Sequence, residues 1–327
     1  CKTCLTDSTI TDSTMTVCSL WDVLRDHGCL VTVTGAEALA FLDGKRLALD
    51  YSIDLVNQLN LVVAGSPQLN SHAMARKLVF ERVVWFLRLG AQIIGCGDGA
   101  PPDAKARTLR ERFAARHGGA RGGGGANPAF LRLTREVATI LEMIGCPAIV
   151  GEGASVGEGE ARAAALCRHG FADAVVSSDA DALLHGAPML IKSVELAGGD
   201  VRSLQVEYVT LADVRQRLGF GETGLLALAL LLGCDMGEGV SGTGAKKATE
   251  LVGFLVQRAG GGAAAEAAAL SEVCALAEGG LSAAEQAALQ LTGCRGLCRV
   301  CGHACGQRQH GARGCAECGV PGPGCIP

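Results

Sequence analysis

The sequence predicts an α/β fold built on a parallel sheet, on three observations. Short apolar segments of strand length, RLALD, AQIIGCG, CPAIVG and ADAVV, recur between longer segments with helical apolar spacing. Strands that alternate with helices in this way are joined by crossovers rather than hairpins, so neighbouring strands run parallel. Four acids, Asp50, Asp98, Asp179 and Asp181, stand at the C-terminal ends of these strands, the edge at which open parallel sheets hold ligands.

The elements follow in order. Residues 1–14 read as a disordered leader. RLALD ends at Asp50 and runs into a helix, and HAMARKLVFERVVWFLRLG has helical apolar spacing. AQIIGCGDG is a second strand ending at Asp98. PPDAKARTLRERFAARHGG reads as a basic helix, stopped by a glycine-rich run expected to be flexible over 118–126. FLRLTREVATILEMIG is a further amphipathic helix, CPAIVG a third strand, GEGEARAAALCRHG a helix with acids at its start, and ADAVVSSDAD a fourth strand. Beyond about residue 205 the chain reads as helical. The organisation expected is therefore a core over 15–204, a helical region over 205–292 and a small Cys- and Gly-rich module over 293–327.

With 327 residues, 49% of them hydrophobic, the chain can bury a sizeable core. The longest apolar run, LLALALLLG, is only the length of a core helix, far short of a bilayer span, so no membrane partner is expected. A net charge of −4 excludes a generic polyanion binder. From Lys105 to Arg135, however, eight basic residues face a single acid, Glu111. Such a segment is either a local phosphate-binding surface or a solvated helix face. Nine of the 16 cysteines are scattered, mostly in apolar contexts, and suit a reducing compartment.

The acids carry the chemistry. Asp179 and Asp181, separated by one alanine, could be a surface turn. Glu158 and Glu160 could serve only to stabilise a helix N-terminus. Taken together, Asp50, Asp98, Glu158, Glu160, Asp179, Asp181 and Asp235 form seven carboxylates at strand ends or helix starts. Gathered in one place without counter-charge they would repel. Hard oxygen ligands suit Mg²⁺ or Mn²⁺, and a pair of such ions can support in-line phosphodiester hydrolysis.

Three ordered segments bear a resemblance. They are LWDVLRDHG with LDGKRLALDYSIDLV, LEMIGCPAIVGEGASVGEGEARAAALCRHGFADAVVSSDADALLHGA, and LALLLGCDMGEGVSGTGAKKATELV. Over roughly residues 15–255 the chain resembles the XPG/flap-endonuclease family of structure-specific nucleases. The resemblance implies a PIN-like nuclease core and puts all seven acids on the family's metal-site positions. It associates Lys105 with the scissile-phosphate region. It likens GVSGTGAKKA to a helix–two-turn–helix element, in which Gly242, Gly244, Lys246 and Lys247 grip a DNA phosphate with the help of a K⁺ ion. Arg107 and Arg110, on the basic segment, are further expected DNA contacts. Two departures are visible: Thr16 replaces an expected glycine, and Met236 stands where an aromatic or polar residue is usual.

The short, glycine-broken segment after Asp98 resembles the GEN-type, Holliday-junction-resolving branch. The tail from Cys294 resembles a Cys/His block that follows the nuclease core in plant members. There, Cys298, Cys301, Cys315 and Cys318 have zinc-ribbon spacing, with disulfides the alternative for a secreted chain. The function implied is Mg²⁺-dependent cleavage of branched DNA in the nucleus, two copies meeting on one four-way junction. A flap or single-strand endonuclease and a catalytically silent branched-DNA binder are the alternatives.

Overall fold

Apolar segments of three to eight residues form one seven-stranded sheet in the order β1-β7-β6-β5-β2-β3-β4. The strands are β1 (Val31–Thr34), β2 (Arg46–Asp50), β3 (Gln92–Gly97), β4 (Ala148–Val150), β5 (Ala174–Val176), β6 (Met189–Leu196) and β7 (Leu204–Thr210). The structure, a computed structural model, describes residues 17, 19–65, 71–101, 105, 128–151, 157–198, 200–235, 237, 239–240 and 243–277. The leader over 1–14, the glycine-rich segment and the Cys/His tail lie outside these residues.

The four strands expected from sequence, β2 to β5, are all present, and β6 extends their parallel array to five. The remaining edge is antiparallel, with β7 pairing β6 and β1 pairing β7. Strand, not helix, therefore occupies Leu204–Thr210, where the sequence was expected to turn helical. Its burial alternates from Leu204 through Gln205 to Val206, the period of a half-buried antiparallel strand rather than the continuous apolar run of a parallel one covered on both faces.

The chain leaves β2, forms β3 and β4 on one side, and then returns to place β5 and β6 on the other. The crevice between β2 and β5 is thus the point at which strand order reverses, where open sheets bind ligands. Below it lies the core, with Leu47, Leu49, Tyr51, Phe86, Leu141 and Val176 all fully buried. Burying one such side chain contributes about 1.5–3 kcal/mol. Two glycines on β3 let neighbours close in. A Cβ at Gly97 would stand 2.2 Å from the Tyr51 hydroxyl oxygen, and one at Gly95 would stand 2.6 Å from Leu141 Cδ1. The Tyr51 hydroxyl in turn donates to the Thr134 carbonyl at 3.1 Å, tying helix Pro128–Met143 over this face.

The chain divides into two units: Cys1–Arg217 with Gly233–Glu238, and Leu218–Leu232 with Gly239–Pro327. The sheet and all eight proposed catalytic residues belong to the first. In the second, helices Glu222–Leu232, Ala245–Arg258 and Ala263–Ala277 pack on one another. The buried Glu266 carboxylate accepts from the Gly224 N–H at 3.1 Å, satisfying a donor at the start of the first of these helices.

Candidate metal centre

Asp50 is the last residue of β2 and is almost fully buried. Its Oδ1 accepts from the Ser52 N–H at 3.1 Å and its Oδ2 from the Ser177 hydroxyl at 3.3 Å. Asp98 follows the end of β3. Its N–H donates to Ser52 Oγ at 2.7 Å, and its Oδ1 accepts from the Gly159 N–H, also at 2.7 Å. One serine thus braces both strand-end acids, and the start of helix Gly159–Arg168 closes against them.

Glu158 is the N-cap of that helix and Glu160 lies in its first turn. Asp179 lies three residues past β5; its N–H donates to Ser177 Oγ at 3.1 Å, and its Oδ1 accepts from the Asp181 N–H at 3.0 Å. Asp181 opens the short helix Asp181–Leu184, and its Oδ1 also accepts from the Val17 N–H at 3.2 Å. Ligand oxygens of Glu160, Asp179 and Asp181 all lie within 4.8 Å of one another, as do ligand atoms of Glu158, Glu160 and His185. Asp235 sits in a tight turn bridged by Cys234 and Gly237. Lys105 ties it in: Nζ lies 3.1 Å from Asp235 Oδ2 and pairs with Glu158.

The electrostatics follow from burial and crowding. Burial, then the charges of Asp98, Asp54 and Asp179, push the Asp50 carboxyl well above the usual range. Burial, then Asp179, does the same for Glu160. Asp98 is raised by burial despite the Gly159 hydrogen bond, and Asp181 is pushed up to about 7 by burial and Asp179. Burial alone would lower the Lys105 ammonium, but Glu158, Glu160 and Asp235 outweigh it and raise its pKa. Two like charges within 4.8 Å repel by roughly 3–4 kcal/mol at an effective dielectric of about 20. Three such pairs approach the whole net stability of a domain, about 5–15 kcal/mol. The set is therefore built either to hold protons or to hold cations.

All seven acids and Lys105 converge in one unit. Lys246 and Lys247 open helix Ala245–Arg258 in the other, the first exposed and the second half-buried. Gly244, its N-cap, has a φ of −86° and open space where a Cβ would stand, so nothing steric there demands glycine. Arg107, Arg110, Gly242, Cys298, Cys301, Cys315 and Cys318 lie outside the described residues. Sequence reasoning missed Ser52, Ser177, Gly159 and His185. The dipeptide Ser177-Ser178 just before Asp179 was the one signal at hand. Arg162 was missed too; its Nη1 donates to the Gly97 and Gly157 carbonyls at 3.0 and 2.7 Å, holding the end of β3 to the helix that carries the glutamates.

Five of the seven acids, Glu158 to Asp235, fall within residues 153–235, which match the family model of the XPG I-region. Asp50 and Asp98 reach the same centre from the N-terminal side of it. Relatives of this chain include the Flap endonuclease GEN-like 1 of Oryza sativa subsp. japonica, 29% identical over 72% of this chain and 37% of that protein. Another is the Single-strand DNA endonuclease 1 of Arabidopsis thaliana, 31% identical over 71% and 38% respectively. Among solved structures, the catalytic core of Rad2 in complex with DNA substrate is similar, with 26% identity, a TM-score of 0.58, and 72% of this chain and 68% of that one covered. The chain spans only 25–37% of the length of the GEN proteins it matches.

Proposed function

We propose that this chain is a divalent-metal-dependent endonuclease that hydrolyses phosphodiesters in branched DNA. Four-way junctions are its first substrate class, and flaps or single-stranded DNA its second. The observation that carries this reading is the gathering of acids from distant parts of the chain: Glu160, Asp179 and Asp181 have ligand oxygens within 4.8 Å of one another, Asp50 feels the charges of Asp98 and Asp179, and Lys105 stands between Glu158 and Asp235. A DNA-binding protein without catalysis would gain nothing from so costly a cluster. The relatives' names, which include both GEN-type and single-strand endonucleases, support the substrate class.

The donor set fits the ions the family implies. The carboxylates are hard ligands, Glu160 is buried with no hydrogen bond among the described residues to satisfy it, and burial and crowding disfavour the charged forms of Asp50 and Glu160 unless a cation offsets them. Glu158, Glu160, Asp179 and Asp181 would hold Mg²⁺ or Mn²⁺, two ions in all, with Asp50, Asp98 and Asp235 around them. When bound, such ions supply charge neutralisation at the phosphate and an acidified water. Ser52, Ser177 and the Gly159 N–H keep the carboxylates oriented. The Lys105 ammonium, already within reach of Glu158 and Asp235, donates to a phosphate oxygen and offsets the charge that develops there.

The finer assignments belong to the same reading. Gly242, Gly244, Lys246 and Lys247 grip the DNA backbone, with K⁺ at the turn. Arg107 and Arg110 add phosphate contacts, and Cys298, Cys301, Cys315 and Cys318 take a structural Zn²⁺. Two copies act on one junction, and the chain works in the nucleus. Cleavage mapping of the purified chain with Mg²⁺ on a panel of four-way, forked, flapped and single-stranded DNA tests the proposal. Paired, symmetric nicks in the four-way substrate are the expected product. Binding of every branched substrate with cleavage of none would overturn it.

A further inference from the structure

Glu160 belongs to two groups of ligand atoms at once. With Asp179 and Asp181 it completes an all-oxygen set; with Glu158 and His185 it completes a set that contains an imidazole nitrogen. The two glutamates come from the N-terminal end of helix Gly159–Arg168. The imidazole comes from the residue that closes the short helix Asp181–Leu184. The His185 backbone N–H donates to the Asp181 carbonyl at 3.2 Å, so Asp181 and His185 are held one turn apart. Arg168 Nη1, near the C-terminal end of the first helix, reaches the His185 carbonyl at 3.5 Å.

A second observation points to a ligand. Glu160 is 7% exposed, and no hydrogen bond among the described residues satisfies its carboxylate, although that carboxylate stands where the two sets meet. Donor chemistry then separates the sets. Mg²⁺ prefers oxygen ligands in near-ideal octahedral geometry and gives up its waters reluctantly. Imidazole suits transition metals, whose affinity for mixed nitrogen and oxygen sites rises along the first row.

We propose that Glu158, Glu160 and His185 form a mixed nitrogen–oxygen metal subsite that takes a first-row transition-metal dication in preference to Mg²⁺. It adjoins the all-oxygen group Glu160, Asp179 and Asp181. The inference rests on the metal-dependent reading above and deepens it, because it gives the two ends of one centre different metal preferences. Lys105 also pairs with Glu158, so a metal entering this subsite shares that carboxylate with the ammonium or displaces it.

The test uses Mn²⁺ on the full chain, because the cysteine-rich tail offers soft thiolates that would draw Zn²⁺ or Co²⁺ but not a hard ion. Pulsed electron paramagnetic resonance detects a coordinated imidazole through its nitrogen coupling to bound Mn²⁺. Wild type is expected to show that coupling, and histidine-selective ¹⁵N labelling to change it. His185→Ala and His185→Gln are expected to abolish it. In each, Mn²⁺ affinity at one site should weaken about tenfold or more while Mg²⁺ affinity changes less than about twofold. His185→Gln keeps the side chain's bulk, and the labelling needs no variant at all. Absence of nitrogen coupling in wild type, its survival in His185→Ala, or equal losses of Mn²⁺ and Mg²⁺ affinity would overturn the proposal. A wild type that cuts junctions without nitrogen coupling would sink this inference alone. One that shows the coupling but cuts no branched DNA would sink the nuclease reading alone.

Discussion

Gly159 stands so close to Asp50 that a Cβ on it would lie 2.6 Å from Oδ1 and 3.1 Å from the Cys96 carbonyl oxygen. Helix propensity alone would favour alanine over glycine by about 1 kcal/mol. The contact reverses that sign, because Asp50 is pinned by Ser52 and Ser177 and the Cys96 carbonyl is backbone. Gly159→Ala is therefore expected to destabilise by about 1–3 kcal/mol and to lower cleavage by moving Asp50. Chemical denaturation and single-turnover cleavage check both effects; a more stable, fully active variant would refute the close approach.

Asp179→Asn and Glu158→Gln keep side-chain shape while removing charge. Each is expected to abolish cleavage and leave junction binding nearly intact. Asp179→Asn relieves crowding, so its metal-free chain should become more stable, not less, whereas Glu158→Gln also unpairs Lys105 and should lose stability. Gel-shift titration, cleavage assays and thermal melts in chelator read the three outcomes. A drop in the Asp179→Asn melt in chelator would show that Asp179 is held by compensating partners rather than by a missing cation.

Lys105 balances Glu158 and Asp235 from a largely buried position, at 12% side-chain exposure. Removing one partner of a buried charge pair costs about 3–5 kcal/mol, so Lys105→Ala should destabilise strongly in chelator and less so with Mg²⁺ present. Cleavage should fall by about 10²–10³, the effect of losing one preorganised donor. Equal destabilisation with and without Mg²⁺ would mean that the ammonium and the metal do not substitute for one another.

The titration of the metal-free centre has an unusual sign. The carboxyls of Asp50, Asp98 and Glu160 are raised by burial first and by their neighbours next, and Asp181 is raised to about 7. Unfolded carboxyls titrate near 4. Between about pH 4 and 7 the folded chain therefore binds more protons than the unfolded one, and its stability falls as pH rises. In chelator the melting temperature should drop by about 5 °C or more across that window; saturating Mg²⁺ should flatten the slope. A metal-free melt that rises with pH would contradict the crowding.

Lys246 and Lys247 lie at the N-terminal end of helix Ala245–Arg258. The double change to alanine should weaken junction binding and lower the slope of log affinity against log salt by about 1–2. Fluorescence anisotropy over a salt series measures it, and an unchanged slope would remove these lysines from the DNA contact.

The chain's local chemistry determined a good deal. Strand-length apolar runs gave β2, β3 and β5, because a central parallel strand is buried on both faces and its sequence says so; β4 was legible as an apolar run too, although it lies at the sheet's edge with Ile149 exposed. Asp50, Asp98, Asp179 and Asp181 were legible because an acid just past such a run sits at the sheet's ligand-binding edge whatever the rest of the fold does. Only the tertiary structure decided the partners. β1, β6 and β7 were missed because they are only half-buried and carry polar and charged residues, such as Lys192 and Glu195 on β6 and Gln205 and Glu207 on β7, which break the apolar run that marks a central strand. Ser52, Ser177, Gly159 and His185 are commonplace residues whose significance comes from what stands opposite them: a hydroxyl between two carboxylates, a missing Cβ beside Asp50, an imbrication of imidazole and glutamate across two helices. Side-chain proximity between residues scores of positions apart is set by strand order and packing, and no local pattern encodes it.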